Sequence, residues 1–349
     1  MIFETFKLQE TPLQIREFFD AQPRPESSWG WFQTLAQTTL SSDQTVVLAA
    51  LRDAAGAVVS AIPLIANETS ALDGLTSPYT TLFQPPLGRI EDATKFGRSL
   101  ARHVRDTLRL DCLDASDAAT AAFIDGLAEG GLFLSCYQHF ANWFEVIPDF
   151  ENYWQARNGG FKNAARKSLR LENQGRLRFE WYEEDVDWKH ATDIYEQVYQ
   201  KSWKAAEPHA QFIGTLLHSL GPRGLAKVGV LTIDGQPAAA QIWLVKSSRA
   251  TIFKVAHDAQ FDRHSPGTAL TYRILQKLCE EQHVHEVDFG RGDDPYKKQW
   301  LSRRRMRQGI VAANPRSLRG VRTAFFEVAP TKISAHLRSR LAKFKKAAG

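Results

Sequence analysis

The chain has 349 residues, 43% hydrophobic and 24% charged; this excludes a disordered segment and predicts two ordinary cores at roughly 100–200 residues per domain. Its three cysteines, Cys112, Cys136 and Cys279, show no C-x-x-C spacing, which excludes a disulfide framework or a cysteine zinc site and fits a reducing, cytoplasmic compartment with no metal cofactor. The net charge of +5 is uneven: Arg303–Gly349 holds 13 Lys/Arg against one acid, Glu327, a net of +12 that leaves −7 on residues 1–302.

In chain order, Ser27–Gln37 reads as a helix opened by serines. Thr45–Arg52 and Ala57–Ala66 read as strands joined by the Asp53–Gly56 turn. Asp92–Leu108 reads as a helix with Asp92 as N-cap, Leu108–Leu113 as a strand, Ser116–Glu129 as a helix and Leu132–Gln138 as a strand. Pro148–Gly160, with Phe150, Tyr153 and Trp154, marks the crossing into a second half. There the pattern predicts a basic helix at Ala164–Glu172, a strand at Leu177–Glu183, and helices at Trp188–Trp203 and Ala210–Leu220. Strands at Leu225–Ile233, Ala238–Val245 and Ala250–His257 follow. Asp234–Gly235 between the first two is a strong hairpin signal, because such a turn needs positive φ. Ser265–Gln282 reads as a helix, Val284–Phe289 as a buried strand, and Met306–Ala313 as a closing strand. The opening MIFETFKLQE lacks a basic stretch followed by an apolar one, so no signal peptide is expected. No apolar run approaches the ~18 residues of a membrane span.

The chemistry concentrates between Phe253 and Trp300. A strand ends near His257, and Ser265-Pro266-Gly267-Thr268 then opens a helix. Proline suits a first helical turn, and glycine admits close approach of a ligand to the backbone. The unpaired N–H groups and the positive dipole end favour a phosphate or pyrophosphate there, with Arg263 and His264 beside it; ordinary capping is the plainer reading. The next strand delivers Asp288, then Gly290, Gly292, Asp293, Asp294, Tyr296, Lys297 and Trp300. Open α/β sheets bind ligands at such strand ends, although a solvated loop has similar composition. Asp288 or Asp293 is a candidate for binding the acceptor or taking its proton, and Lys297 for neutralising charge. His257, Arg166, Lys167 and Trp300 are candidate substrate contacts. Cys279 falls deep in the helix, where packing suits it better than covalent catalysis.

The pattern H-D…S-P-G-T…L at His257–Leu270 and D-F-G-R-G-D-D-x-Y-K-x-x-W at Asp288–Trp300 resembles the CelD/Fem-type branch of GNAT-related acyltransferases. Tyr153–Arg157, Arg166–Arg170 and Ser202–Trp203 support it. The resemblance is strongest over residues 145–305 and loose over 25–140. It implies an α/β mixed-sheet fold with tandem GNAT-like lobes: a degenerate lobe at 1–147, a lobe at 148–315 carrying the donor site, and a basic tail at 316–349. It also implies transfer of an acyl group, acetyl above all, from acyl-CoA to an amine on a small molecule or glycan, with polysaccharide or envelope metabolism as the setting and Tyr296 protonating the thiolate. The family's R/Q-x-x-G-x-G/A loop is reduced here to Gly267. Fem-type relatives use aminoacyl-tRNA instead, and a non-catalytic binding protein of the same fold is a further alternative. Lys332–Lys346, with Ile333, Leu337 and Leu341 at a four-residue spacing, reads as a basic amphipathic helix suited to a membrane surface, tRNA or docking on the body.

Overall fold

The computed structural model of the protein describes residues 1–67, 70–114 and 116–328. The helix read at Lys332–Lys346 lies outside them. Two compact units divide the chain, and both are discontinuous: Met1–Gln22, Leu40–Phe140 and the segment from Met306 form the first, Pro23–Thr39 and Ala141–Arg305 the second. A cut by chain order at 147/148 would separate segments that fold together.

The first unit opens with β1 (Ile2–Lys7) and α1 (Leu13–Asp20), neither anticipated by the pattern. Helix α2 (Trp29–Thr38) belongs to the second unit, and Ser28 caps it by accepting from the Trp31 N–H at 3.3 Å. Strands β2 (Thr45–Arg52) and β3 (Val58–Ala66) pair antiparallel across the expected turn, and a short β4 (Leu72–Gly74) follows. Helix α3 (Ile90–Ala101) starts after Arg89 and stops well before Leu108. Asp92 is buried within its first turn and paired to Arg89 at 3.0 Å instead of capping it. Next come β5 (Thr107–Asp114) and α4 (Ala118–Glu129). Helices α3 and α4 approach so closely that a Cβ on Gly97 would meet the Phe123 carbonyl oxygen at 2.3 Å.

Strand β6 (Phe133–Val146) runs past its expected end at Gln138 and carries the chain from one unit into the other. The second unit continues with α5 (Phe150–Gln155), α6 (Gly159–Asn173), β7 (Leu177–Tyr182), α7 (Trp188–Gln200) and α8 (Phe212–Leu220). Strands β8 (Ala226–Ile233), β9 (Gln236–Lys246) and β10 (Arg249–His257) follow, then α9 (Pro266–Glu280), β11 (Glu286–Arg291) and α10 (Lys297–Trp300). Strand β12 (Arg303–Ala313) leads back to the first unit.

The units repeat one plan. The first has strand order β1-β2-β3-β4-β5-β12 with only β4 and β5 parallel; the second has β7-β8-β9-β10-β11-β6 with only β10 and β11 parallel. The β8–β9 hairpin turns through Asp234 (φ 51°) and Gly235 (φ 78°), the double positive φ that the Asp-Gly pair predicts. Strand β9 is buried along nearly its whole length. The core of the second unit lies between this sheet and α9, whose Ala269, Leu270, Ile274, Leu275 and Leu278 recur at helical spacing.

Candidate active site

The parallel ladder of β10 and β11 is short. Arg249, Ala250 and Thr251 pair with Glu286, Val287 and Asp288, and the register goes no further. Strand β10 bulges between Ile252 and Lys254 and runs on to His257; β11 bulges between Asp288 and Arg291, where Gly290 has φ 63°. Two parallel strands that part at their carboxyl ends leave backbone groups on each facing a gap, where a ligand can hydrogen-bond to the sheet.

The chain leaves β10 for the start of α9. Ser265 sits at φ 51° and makes no capping hydrogen bond, and Pro266 follows at the first helical position. Among the described residues, the Gly267 and Thr268 N–H groups therefore have neither an intrahelical nor a side-chain acceptor, and the positive dipole end reinforces them. Gly267 brings the backbone against His257: a Cβ there would lie 3.3 Å from the imidazole Nδ1. The buried Gln241 side chain of β9 holds this turn by donating to the Gly267 carbonyl at 3.2 Å and the Thr271 hydroxyl at 2.7 Å. Around it, Arg263 donates to the His264 ring at 3.0 Å. Burial, then the charges of Arg263, Arg176 and Lys167, lower the His264 pKa, so the imidazole stays neutral near pH 7. Lys167 and Arg166 are exposed on α6. Arg263, His264, Ser265, Pro266, Gly267 and Thr268 thus form one positively biased mouth, which Lys167 influences from α6. His257 is tied to Asp262 at 3.0 Å and packs on Trp203 at 4.6 Å.

The residues after β11 are more constrained than the sequence suggested. Asp288 is 4% exposed. It accepts from Asn142 Nδ2 at 2.6 Å, the Gly290 N–H at 2.7 Å and Arg305 Nη2 at 2.6 Å. With its lone pairs engaged by three donors, it suits fixing the bulge better than receiving a proton. Asp293 accepts from the Trp143 indole at 2.7 Å and pairs with Arg304 at 2.9 Å; hydrogen bonds from Arg304 and Trp143 lower its pKa. Lys297 is buried, donates to the Arg291 carbonyl at 2.6 Å and lies 3.1 Å from Asp294, so its ammonium closes the 291–297 loop. Tyr296 keeps 42% of its surface exposed beside Phe289; burial, then the charge of Asp294, pushes its hydroxyl up to about 12. Trp300 is buried against Phe161 at 4.1 Å, and its carbonyl accepts from Tyr153 and Arg157. It packs beneath the site.

Sequence reasoning missed Asn142 and Arg305, which hold the bulge through Asp288, Trp143, which holds Asp293, and Gln241, which holds the helix start. It also missed Lys204, Glu207 and Lys254. The aromatic-basic run Tyr199–Lys204 was the available signal.

A mixed sheet with a parting parallel pair and an open helix start after the first of them defines a GNAT-like fold. Residues 158–298 match the family model described as "Acetyltransferase (GNAT) domain", a span that includes every candidate residue except Trp300. The crystal structure of FemX superposes with a TM-score of 0.62 at 10% identity, covering 94% of this chain and 100% of that one. The C-terminal domain of a putative lysylphosphatidylglycerol synthetase from Agrobacterium fabrum gives 0.52 at 15% identity over 77% of this chain and 83% of that one. L-PGS from Bacillus licheniformis gives 0.50 at 13% identity over 85% and 94%. These likenesses establish the fold. No curated protein matches the sequence. Among the described residues, no helix is long and apolar enough to cross a membrane, and no group of three or more His, Cys, Asp or Glu could hold a metal ion.

Proposed function

We propose that the protein is a cytoplasmic N-acyltransferase that moves an acyl group, acetyl in the simplest case, from acyl-CoA directly to an amine on a small molecule or glycan. The observation that carries this reading is the uncapped start of α9 opening beside the parted strands β10 and β11. The pyrophosphate fits the first-turn N–H groups of α9, with Arg263, His264 and Thr268 around it, and the thioester enters the gap between the strands. The amine enters as the free base after its ammonium loses a proton to solvent and attacks the thioester carbonyl; the C–N bond forms, the C–S bond breaks, and the proton shed by the nitrogen passes through water to the leaving thiolate. Tyr296 stays protonated across the working range and can donate a hydrogen bond to that thiolate. Its high pKa, against about 8.5 for a thiol, makes it a hydrogen-bond donor more than a full proton source. Asp288 and Asp293 act by positioning: one fixes the β11 bulge, the other anchors the loop that presents Tyr296. Lys297 keeps that loop closed. His257, Arg166 and Lys167 border the acceptor or donor, and the unit formed by Pro23–Thr39 and Ala141–Arg305 carries the reaction. Residues 316–349 are assigned to contact with an anionic surface.

Release of free thiol tests this directly. Incubation with acetyl-CoA and a panel of primary amines should liberate coenzyme A only when an accepted amine is present. The sequence resemblance to Fem-type proteins keeps one competitor, an aminoacyl-tRNA donor. Consumption of aminoacyl-tRNA with no thiol release from any acyl-CoA would replace the CoA reading by that one.

A further inference from the structure

Between α7, the loop that follows it and the start of α8, the second unit has a cavity of about 420 Å³, lined by Tyr195, Glu196, Tyr199, Lys204, Glu207 and Ile213 among others. Two of the charged groups here satisfy each other: Lys254 of β10 donates to both Glu207 carboxylate oxygens at 2.7 and 2.8 Å. Lys204 is different. Its backbone N–H is held by the Ser202 hydroxyl at 3.4 Å and its ammonium lies 5.7 Å from the Trp203 ring centre. Among the described residues that ammonium donates no hydrogen bond; Glu207 and Asp294 act on it only as charges at longer range, opposed by Lys254 and Lys297. These neighbours put Lys204 between the cavity, β10 and the loop after β11. Trp203 packs on His257, whose ring adjoins Gly267, so one run of contacts links the cavity wall to the start of α9.

A half-buried ammonium without an acceptor pays part of its desolvation cost uncompensated until an anion reaches it. Glu207 accepts no hydrogen bond from Lys204 among the described residues, and its charge is already offset by Lys254. Glu196 lines the same cavity and adds a carboxylate, so a ligand bearing both signs of charge fits. We propose that Lys204 binds a carboxylate or phosphate group on the acceptor, so that the enzyme selects amines carrying an anionic group over those without one. The proposal rests on the acyl-CoA-to-amine reading and makes Lys204 a specificity-determining residue. Burial, then the charge of Lys254, lowers the amine to about 8, which leaves the cation the major form at pH 7.

The test is calorimetric titration at pH 7 with two amine pairs, cadaverine against L-lysine and glucosamine against glucosamine 6-phosphate, with coenzyme A present so that no transfer occurs. Wild type should bind the anionic member of one pair about 10- to 100-fold tighter than its partner, the range for hydrogen bonds to charged groups. The lysine pair reports a carboxylate and the sugar pair a phosphate. Lys204→Ala should lose the preference and Lys204→Arg should keep most of it, while all three proteins bind acetyl-CoA alike. Equal binding within both pairs by wild type, binding of neither pair, or a preference that survives in Lys204→Ala overturns the proposal. Failure of wild type to bind acetyl-CoA would instead strike the donor reading, and it is read in a separate titration.

Discussion

Arg305→Met removes the cation that neutralises Asp288 and leaves a carboxylate 6% exposed that still accepts from the neutral Asn142 amide and the Gly290 N–H. Arg305 also donates to Asn142 Oδ1 at 2.6 Å, lies 3.4 Å from Glu286 and covers the Phe144 ring at 4.1 Å. Breaking a buried ion pair from one side costs about 3–5 kcal/mol. Arg305 is itself 21% exposed and two neutral donors remain, so the lower end, about 3 kcal/mol, applies. With a urea dependence of about 1–3 kcal/mol per molar, the unfolding midpoint of the variant should fall by at least about 1 M. Adding Asp288→Asn removes the stranded charge, and the double variant should recover more than half of the loss. A loss below about 1 kcal/mol for Arg305→Met, or no recovery in the double variant, would refute the claim that Asp288 is structurally committed to Arg305.

Tyr296→Phe removes one hydrogen bond to a charged group and should lower kcat by about 10- to 100-fold with acetyl-CoA binding intact. Because the hydroxyl lies at about 12, the deficit should be constant from pH 6 to pH 9; unchanged turnover would remove the tyrosine from the reaction. Burial opposes ionisation of Asp114, but the Ser116 hydroxyl and the Arg307 guanidinium outweigh it and hold the carboxyl at about 2. Its folded pKa lies below the unfolded ~3.9, so its contribution is present above about pH 4 and lost as pH falls toward 2, and amounts to about 2 kcal/mol. Asp114→Asn should therefore destabilise the protein at pH 7 and have little effect near pH 2; an equal effect at both would contradict the assignment. Burial, then Glu280, raises the Cys279 thiol to about 12, whereas Cys136 is exposed. Maleimide at pH 7.5 should label Cys136 well before Cys279, as read by peptide mass spectrometry, and fast labelling of Cys279 would reopen a covalent mechanism.

Local signals were readable and long-range ones were not. Asp234–Gly235 and Pro266 name their own conformations, and both appear where the sequence put them. The aromatic cluster at Pro148–Gly160 instead contains α5, capped by the Asp149 side chain, an N-terminal signal overlooked because the apolar residues were too close to show a helical period. Asp288 could be seen at a strand end, but its partners come from Asn142, 146 positions earlier, and Arg305, 17 later. No local pattern encodes that meeting. The parting of β10 from β11 is likewise a matter of register between strands joined by a helix. The discontinuous units follow from β6 and β12 each crossing between them, which composition along the chain does not record.

Acetyl-CoA titration of wild type and Gly267→Trp by calorimetry tests the donor site most directly. An indole at position 267 would crowd His257, since even a Cβ stands 3.3 Å from its Nδ1, and would cover the first-turn N–H groups of α9. The account predicts saturable binding by wild type and a loss of at least about tenfold in the variant, with unchanged thermal unfolding. Equal binding by both proteins would move the pyrophosphate away from α9, and no binding by a folded wild type would contradict the acyl-CoA donor itself.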